Sequence, residues 1–176
     1  MSLEEGKIRV LDARRDFGLV DSLDLEALTQ ESTFRLRPIQ PEKESRVYDQ
    51  NLLVRPDARY LTLVNQLDLD LYLAGVVEAE AGPNAELEYY KAQALLCRTY
   101  AFRQMERHQS EGFSLCDGTH CQAYKGKATM NPDIVAAVME TSGQIVADYN
   151  YRLITAAYHS NSGGQTTRAQ DVWLAD

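Results

Sequence analysis

The sequence predicts an α+β fold, a strand-rich N-terminal part followed by a core of helices and strands. Three observations predict it. Short runs of β-branched, aromatic and alternating apolar residues fill the chain to about residue 68. From about Leu69 the spacing turns helical, with one long stripe at three- and four-residue intervals. Strands first and helices later is the order of an α+β chain, not of alternating βα units. The 176 residues suit one domain, with 1–64 as the strand-rich part and 65–176 as the core.

Strands are expected at KIRVL, STFRLRP, SRVYDQNLLV and RYLTLVNQ, with breaks at DARRDFG and RPIQPEKES, where turn-forming residues collect. LDLYLAGVVEAEAGPN reads as a short helix stopped by Gly82-Pro83. The strongest helix is expected from about Asn84, as N-cap, to about His108. Its stripe is Leu87, Tyr90, Ala94, Leu95, Arg98, Ala101 and Met105. Arg98 is the charged member and must find a partner or a ligand, because a buried unpaired charge is costly. A third helix starts at Asn131 with Pro132 in the first position, and Gly143 lies just past its end. QIVADY and RLITAAYHS read as strands around a turn at Asn150, and the Gly163-Gly164 stretch reads as a loop.

The formal charge of -8 and pI near 4.9, with no Lys/Arg run, exclude nucleic acid and anionic membrane surfaces as natural partners. No apolar run approaches the ~20 residues that cross a bilayer, so no transmembrane segment is expected. The N-terminus lacks a signal-peptide pattern. Met-Ser-Leu reads as an appended start, so a native signal or anchor is expected to be missing from this chain.

Two of the three cysteines and one of the three histidines fall within SLCDGTHCQAYKG. Thiolate and imidazole are preferred Zn(II) ligands, and a structural site takes four. Cys116, Cys121, His120 and His108 supply that number. His120 and Cys121 are neighbours and both ligate only from a turn, which DGTH makes plausible; if His120 points away, a water or His159 fills the place. The spacing alone leaves open a Cys116–Cys121 disulfide, two cysteines packed as small hydrophobes, and a Cys nucleophile with a His base. Cys97 lies within a helix and reads as core.

YLAGVVEAEAG, KAQALLCRTYA, LCDGTHCQAYKG and AYHSNSGGQT followed by DVW occur in this order. Together they resemble the stage II sporulation protein D family of bacterial cell-wall proteins, which includes lytic transglycosylases and amidase enhancers. The resemblance runs from about Asn65 to Trp173. The first motif resembles Tyr-Leu-x-Gly-Val-Val-x-x-Glu-Met, whose glutamate is the family's catalytic acid and falls on Glu80. Ala81 and Gly82 stand where the family usually has Met and often Pro.

The resemblance implies cleavage of the β-1,4 bond between N-acetylmuramic acid and N-acetylglucosamine in peptidoglycan. One glutamate suffices, where ordinary glycosidases need two carboxylates. As an acid, Glu80 protonates the leaving oxygen; as a base it takes the C6 hydroxyl proton, closing a 1,6-anhydro ring. Such an acid should be partly buried. By the same resemblance Lys91, Gln93, Arg98 and Tyr100 line or support the groove, Gln122 and Tyr124 reach substrate, and Tyr158, His159, Ser160, Ser162, Gly163 and Gly164 face the glutamate. For Arg98, an ion pair inside the fold stands beside substrate contact. The CDGTHCQAY segment matches the family's loop for a structural Zn2+. Implied partners are glycan strands, intact or stripped of stem peptides, and in the alternative reading a cell-wall amidase that a non-catalytic module stimulates. The implied location is the cell envelope, exported or periplasmic. No Ser-His-Asp chemistry is expected, since neither Ser160 nor Ser162 sits in a Gly-x-Ser-x-Gly elbow.

Overall fold

The computed structural model describes residues 1–159, 163–168 and 171. The chain forms two compact units, Met1–Asp68 and Leu69–Asp176.

The first unit is built from eight antiparallel strands. β1 (Ser2–Glu4), β2 (Lys7–Leu11) and β3 (Asp16–Val20) form one sheet. β4 (Leu23–Leu25), β7 (Asn51–Pro56) and β8 (Leu61–Gln66) form a second, and β5 (Thr33–Leu36) pairs with β6 (Arg46–Asp49). Ile8, Leu52 and Val54 are fully buried, with Val10, Val20, Phe34 and Leu61 packed against them. The single run SRVYDQNLLV becomes two strands because Gln50 takes a left-handed φ of 60°. Its side chain bonds Asp68 twice, through Nε2 to the carboxylate and through Oε1 from the backbone amide. β3 starts inside DARRDFG, where only a break was expected, and β1 and β4 were not expected at all.

The second unit has three helices. α1 (Leu69–Ala81) buries Leu73 to Val77 and ends where Gly82 adopts φ 71°. α2 runs Leu87–Gln104, starting three residues later than expected and ending four earlier. Asn84 is not its cap; Glu86 occupies that position without a side-chain bond. Instead Tyr90 ties the approach, its hydroxyl accepting from the Ala85 amide and donating to the Gly82 carbonyl. α3 (Pro132–Glu140) starts as expected, with Asn131 Oδ1 accepting the Asp133 amide at 2.9 Å. QIVADY and the described residues of RLITAAYHS are not strands. They meet in the isolated bridge Ala147–Leu153, and the Val146 amide, which a longer ladder would use, goes to Thr99 Oγ1 instead.

Candidate active site and metal centre

α1 presents its two glutamates to the segment that follows α2. Glu80 is half-buried, and its Oε1 accepts the Ala123 amide at 2.8 Å. Glu78 points elsewhere, its Oε2 taking the amides of Thr129 at 2.9 Å and Met130 at 2.7 Å. This follows from the ~200° between residues two apart on a helix. The two carboxylates therefore grip the segment at separate points and do not pair with each other.

Gly75 explains how closely the segment lies on α1. A Cβ there would come 2.2 Å from the Gly126 carbonyl oxygen and 2.6 Å from the Tyr124 ring. Tyr124 is buried and meets Tyr72 at 5.1 Å between ring centroids.

The four metal-ligating candidates converge. His108, Cys116, His120 and Cys121 place one ligand atom each within 4.8 Å of one another. Cys121 Sγ lies 3.4 Å from His108 Nε2, and His120 Nδ1 lies 3.8 Å from both sulfurs. Edges of about 3.3–3.8 Å are those of a tetrahedron with zinc-length bonds to nitrogen and sulfur. A turn closed by the Cys121 amide on the Gly118 carbonyl lets His120 and Cys121 face the same point. Both cysteines are free thiols. His108 Nδ1 meets Glu111 Oε1 at 2.6 Å, the outer bond that orients a ligating imidazole and leaves Nε2 for a metal. Burial works against the Cys116 thiolate, but hydrogen bonds from Gly118, His120 and Cys121 bring its pKa down to about 7.

Behind Glu80 the fold buries a polar group of side chains. Gln122 is 1% exposed; its Nε2 donates to the Cys97 carbonyl at 3.2 Å and to Tyr158 Oη at 3.4 Å, and its Oε1 accepts from Tyr72 Oη at 3.4 Å. Gln93, also buried, donates to Cys97 Sγ. Burial pushes the Cys97 thiol up to about 11 and raises both Tyr72 and Tyr158, so all three stay protonated.

The other expected groove residues divide. Arg98 is 1% exposed and spends its guanidinium inside the fold, on Asp70 at 3.0 Å, Val138 O at 3.0 Å, Gln144 O at 3.2 Å and Thr141 Oγ1 at 3.4 Å. The geometry thus favours its ion-pair alternative. Lys91 bridges Glu88 at 2.7 Å and Glu140 at 2.8 Å, tying α2 to α3. The Tyr100 hydroxyl accepts from Arg107. Tyr158 is half-buried, its pKa raised chiefly by burial, while His159 is exposed. Gly163 and Gly164 are exposed with φ of 62° and 95°. Ser160 and Ser162 lie outside the described residues.

Sequence reasoning missed Tyr72, Glu78, Glu111 and the polar role of Cys97. Tyr72 had a signal, since it shares the four-residue spacing Tyr72, Val76, Glu80 on one helix face. Glu111 stands three residues after His108.

The family model described as SpoIID, stage II sporulation protein, matches residues 57–149, more than half of the chain. The chain belongs to this family. It is 34% identical over 127 residues to stage II sporulation protein D of Bacillus subtilis, covering 64% of this chain and 37% of that protein. It is 37% identical over 101 residues to the amidase enhancer of the same organism, covering 57% of this chain and 13% of that one. An uncharacterized protein of Brachyspira hyodysenteriae is 32% identical over 127 residues, 72% of this chain and 34% of that one. The matches thus span little more than a third of these relatives' lengths at most. Among the described residues, no helix is long and apolar enough to cross a membrane.

Proposed function

We propose that this chain carries a cell-wall lytic transglycosylase site with Glu80 as its single acid and base. The observation that carries the reading is the Ala123 amide on Glu80 Oε1. It fixes a half-buried carboxylate by one oxygen, and the reading assigns proton transfer to the other, Oε2. Oε2 gives its proton to the leaving glycosidic oxygen between N-acetylmuramic acid and N-acetylglucosamine. It then takes the C6 hydroxyl proton, and the 1,6-anhydro ring closes without water. Glu78 is held by two backbone amides and is not a second carboxylate for hydrolysis.

His108, Cys116, His120 and Cys121 fit a structural Zn2+ by donor type and spacing. A four-ligand shell supplies a cross-link and leaves no open position for chemistry. The Ala123 amide follows two residues after Cys121, so the stapled segment also sets the acid.

The test is release of soluble fragments from intact peptidoglycan and from peptide-free strands, with Glu80→Gln beside the wild type. Release lost in the variant supports the reading, and release unchanged in it overturns it. The amidase-enhancer relative supports a second reading, a glycan-binding module that stimulates a cell-wall amidase. That reading predicts glycan binding without cleavage and a faster partner amidase. Either role places the protein in the cell envelope.

A further inference from the structure

The four metal-ligating candidates come from separate stretches of chain. His108 follows α2, Cys116 opens the next loop, and His120 and Cys121 close it. A metal held by all four therefore ties the end of α2 to the loop. A Cys116–Cys121 bond would tie the loop only to itself. The two sulfurs are already neighbours. Both are free thiols, they lie within 4.8 Å of each other, and each is 3.8 Å from His120 Nδ1. The Cys121 amide on the Gly118 carbonyl at 3.1 Å folds the loop back on itself, so closing the sulfur gap is a local motion. The two states exclude each other. A disulfide holds its sulfurs about 2 Å apart, whereas two sulfurs on one zinc stand about 3.8 Å apart. A disulfide sulfur also lacks the thiolate charge that binds a metal. Access differs between the two: Cys116 is half-buried and Cys121 is buried. Cys97 is fully buried within α2 and takes no part.

We propose that Cys116 and Cys121 form a thiol–disulfide exchange site for small-molecule disulfides, and that closing their own disulfide expels the metal and unties His108 from the loop. Cys116, the more open sulfur, attacks one sulfur of the external disulfide; that S–S bond breaks and one small thiol leaves. Cys121 then attacks Cys116 in the mixed disulfide and releases the second small thiol. Two electrons pass from the protein sulfurs to the external disulfide. The metal departs as its dication, and solvent supplies the two protons that the leaving thiols take up. Arg107 still reaches the His120 carbonyl at 2.6 Å, so the loop stays by the end of α2 but loses its metal tie. The Ala123 amide that holds Glu80 follows two residues after Cys121, so the loosened loop is the one that sets the carboxylate. This rests on the reading of the four side chains as a metal centre.

The experiment equilibrates zinc-loaded protein with oxidised and reduced glutathione over a range of ratios. Acid quenching, alkylation and peptide mass spectrometry count the Cys116–Cys121 disulfide, and an indicator dye counts released zinc. Hydrogen exchange is followed over residues 106–113 and at Ala123. One zinc should leave for each disulfide formed, and dithiothreitol with added zinc should restore the starting state. Free zinc at 100 times its Kd should raise the ratio of oxidised glutathione to the square of reduced glutathione at half-oxidation by about 100-fold, because the metal binds only the dithiol form. Exchange over 106–113 and at Ala123 should be faster in the oxidised protein. Cys121→Ser should stop at the mixed disulfide on Cys116. A disulfide that forms with zinc retained, a half-oxidation ratio indifferent to zinc, exchange unchanged by oxidation, or a wild type that stops at the mixed disulfide or does not react at all would each overturn the proposal. A wild type that binds no zinc overturns the metal reading together with this one. A wild type that binds one zinc and gives any of those contrary results overturns this one alone.

Discussion

At the scale of single residues, the site depends on contacts that tolerate little change. Gly75 sits in a helix interior, where alanine ordinarily gains about 1 kcal/mol. Here a methyl group would strike the Gly126 carbonyl and the Tyr124 ring. Gly75→Ala should therefore destabilise the protein, by about 1–3 kcal/mol as overpacked cores do, read from urea unfolding. A stabilised variant would show that the segment does not press on α1 as described. Arg98 carries a different risk. Its removal leaves Asp70 with the Ser142 hydroxyl but no guanidinium, and takes this donor from the carbonyls of Val138 and Gln144. Arg98→Ala should cost about 3–5 kcal/mol, the range for breaking a buried pair from one side. Equal losses for glycan binding and stability across Arg98 variants fit a structural arginine. Lost binding at full stability would return Arg98 to the groove.

At the scale of elements, the segment from Cys116 to Asn131 is held three ways: by the Cys/His cluster, by the Glu80 and Glu78 carboxylates, and by Asn131. Asn131 does two jobs, capping α3 and donating Nδ2 to the Pro83 carbonyl at 2.9 Å. Asn131→Ala should cost at least the ~1 kcal/mol of a lost N-cap, measured by the same unfolding curves. Removing metal from zinc-loaded protein with a chelator should make Cys116 and Cys121 reactive to a thiol reagent, while Cys97, fully buried, stays silent until unfolding. Cys116 and Cys121 labelling equally fast with and without metal would count against the zinc centre. Much of this was legible in the sequence. The Asn131-Pro132 start, the turn that aims His120 and Cys121 together, and Arg98 as a charge needing a partner all follow from local rules. The grip of Glu78 was not legible, because the amides of Thr129 and Met130 carry no sequence mark. Nor was the bond between Tyr72 and Gln122, whose partners are fifty residues apart. The two expected strands after α3 failed for a tertiary reason: Thr99 of α2 claims the Val146 amide that a longer ladder would have used.

At the scale of the whole molecule, family membership and the site geometry bear on one question, whether Glu80 performs chemistry or only contributes to binding. The wholly β unit Met1–Asp68 holds none of the candidate site residues; all of those described lie in Leu69–Asp176. The acidic chain, at a formal charge of -8, gives no electrostatic pull toward anionic polymers, so recognition of glycan should rest on neutral donors and acceptors. Binding should accordingly change little with salt, and a steep loss of affinity at high ionic strength would contradict that. The most direct measurement is mass spectrometry of the fragments that zinc-loaded protein releases from peptide-free glycan strands, with Glu80→Gln in parallel. Fragments one water lighter than hydrolysis products, ending in 1,6-anhydro rings and absent with the variant, are what this account predicts. Hydrated ends, or anhydro ends that persist in Glu80→Gln, would contradict it.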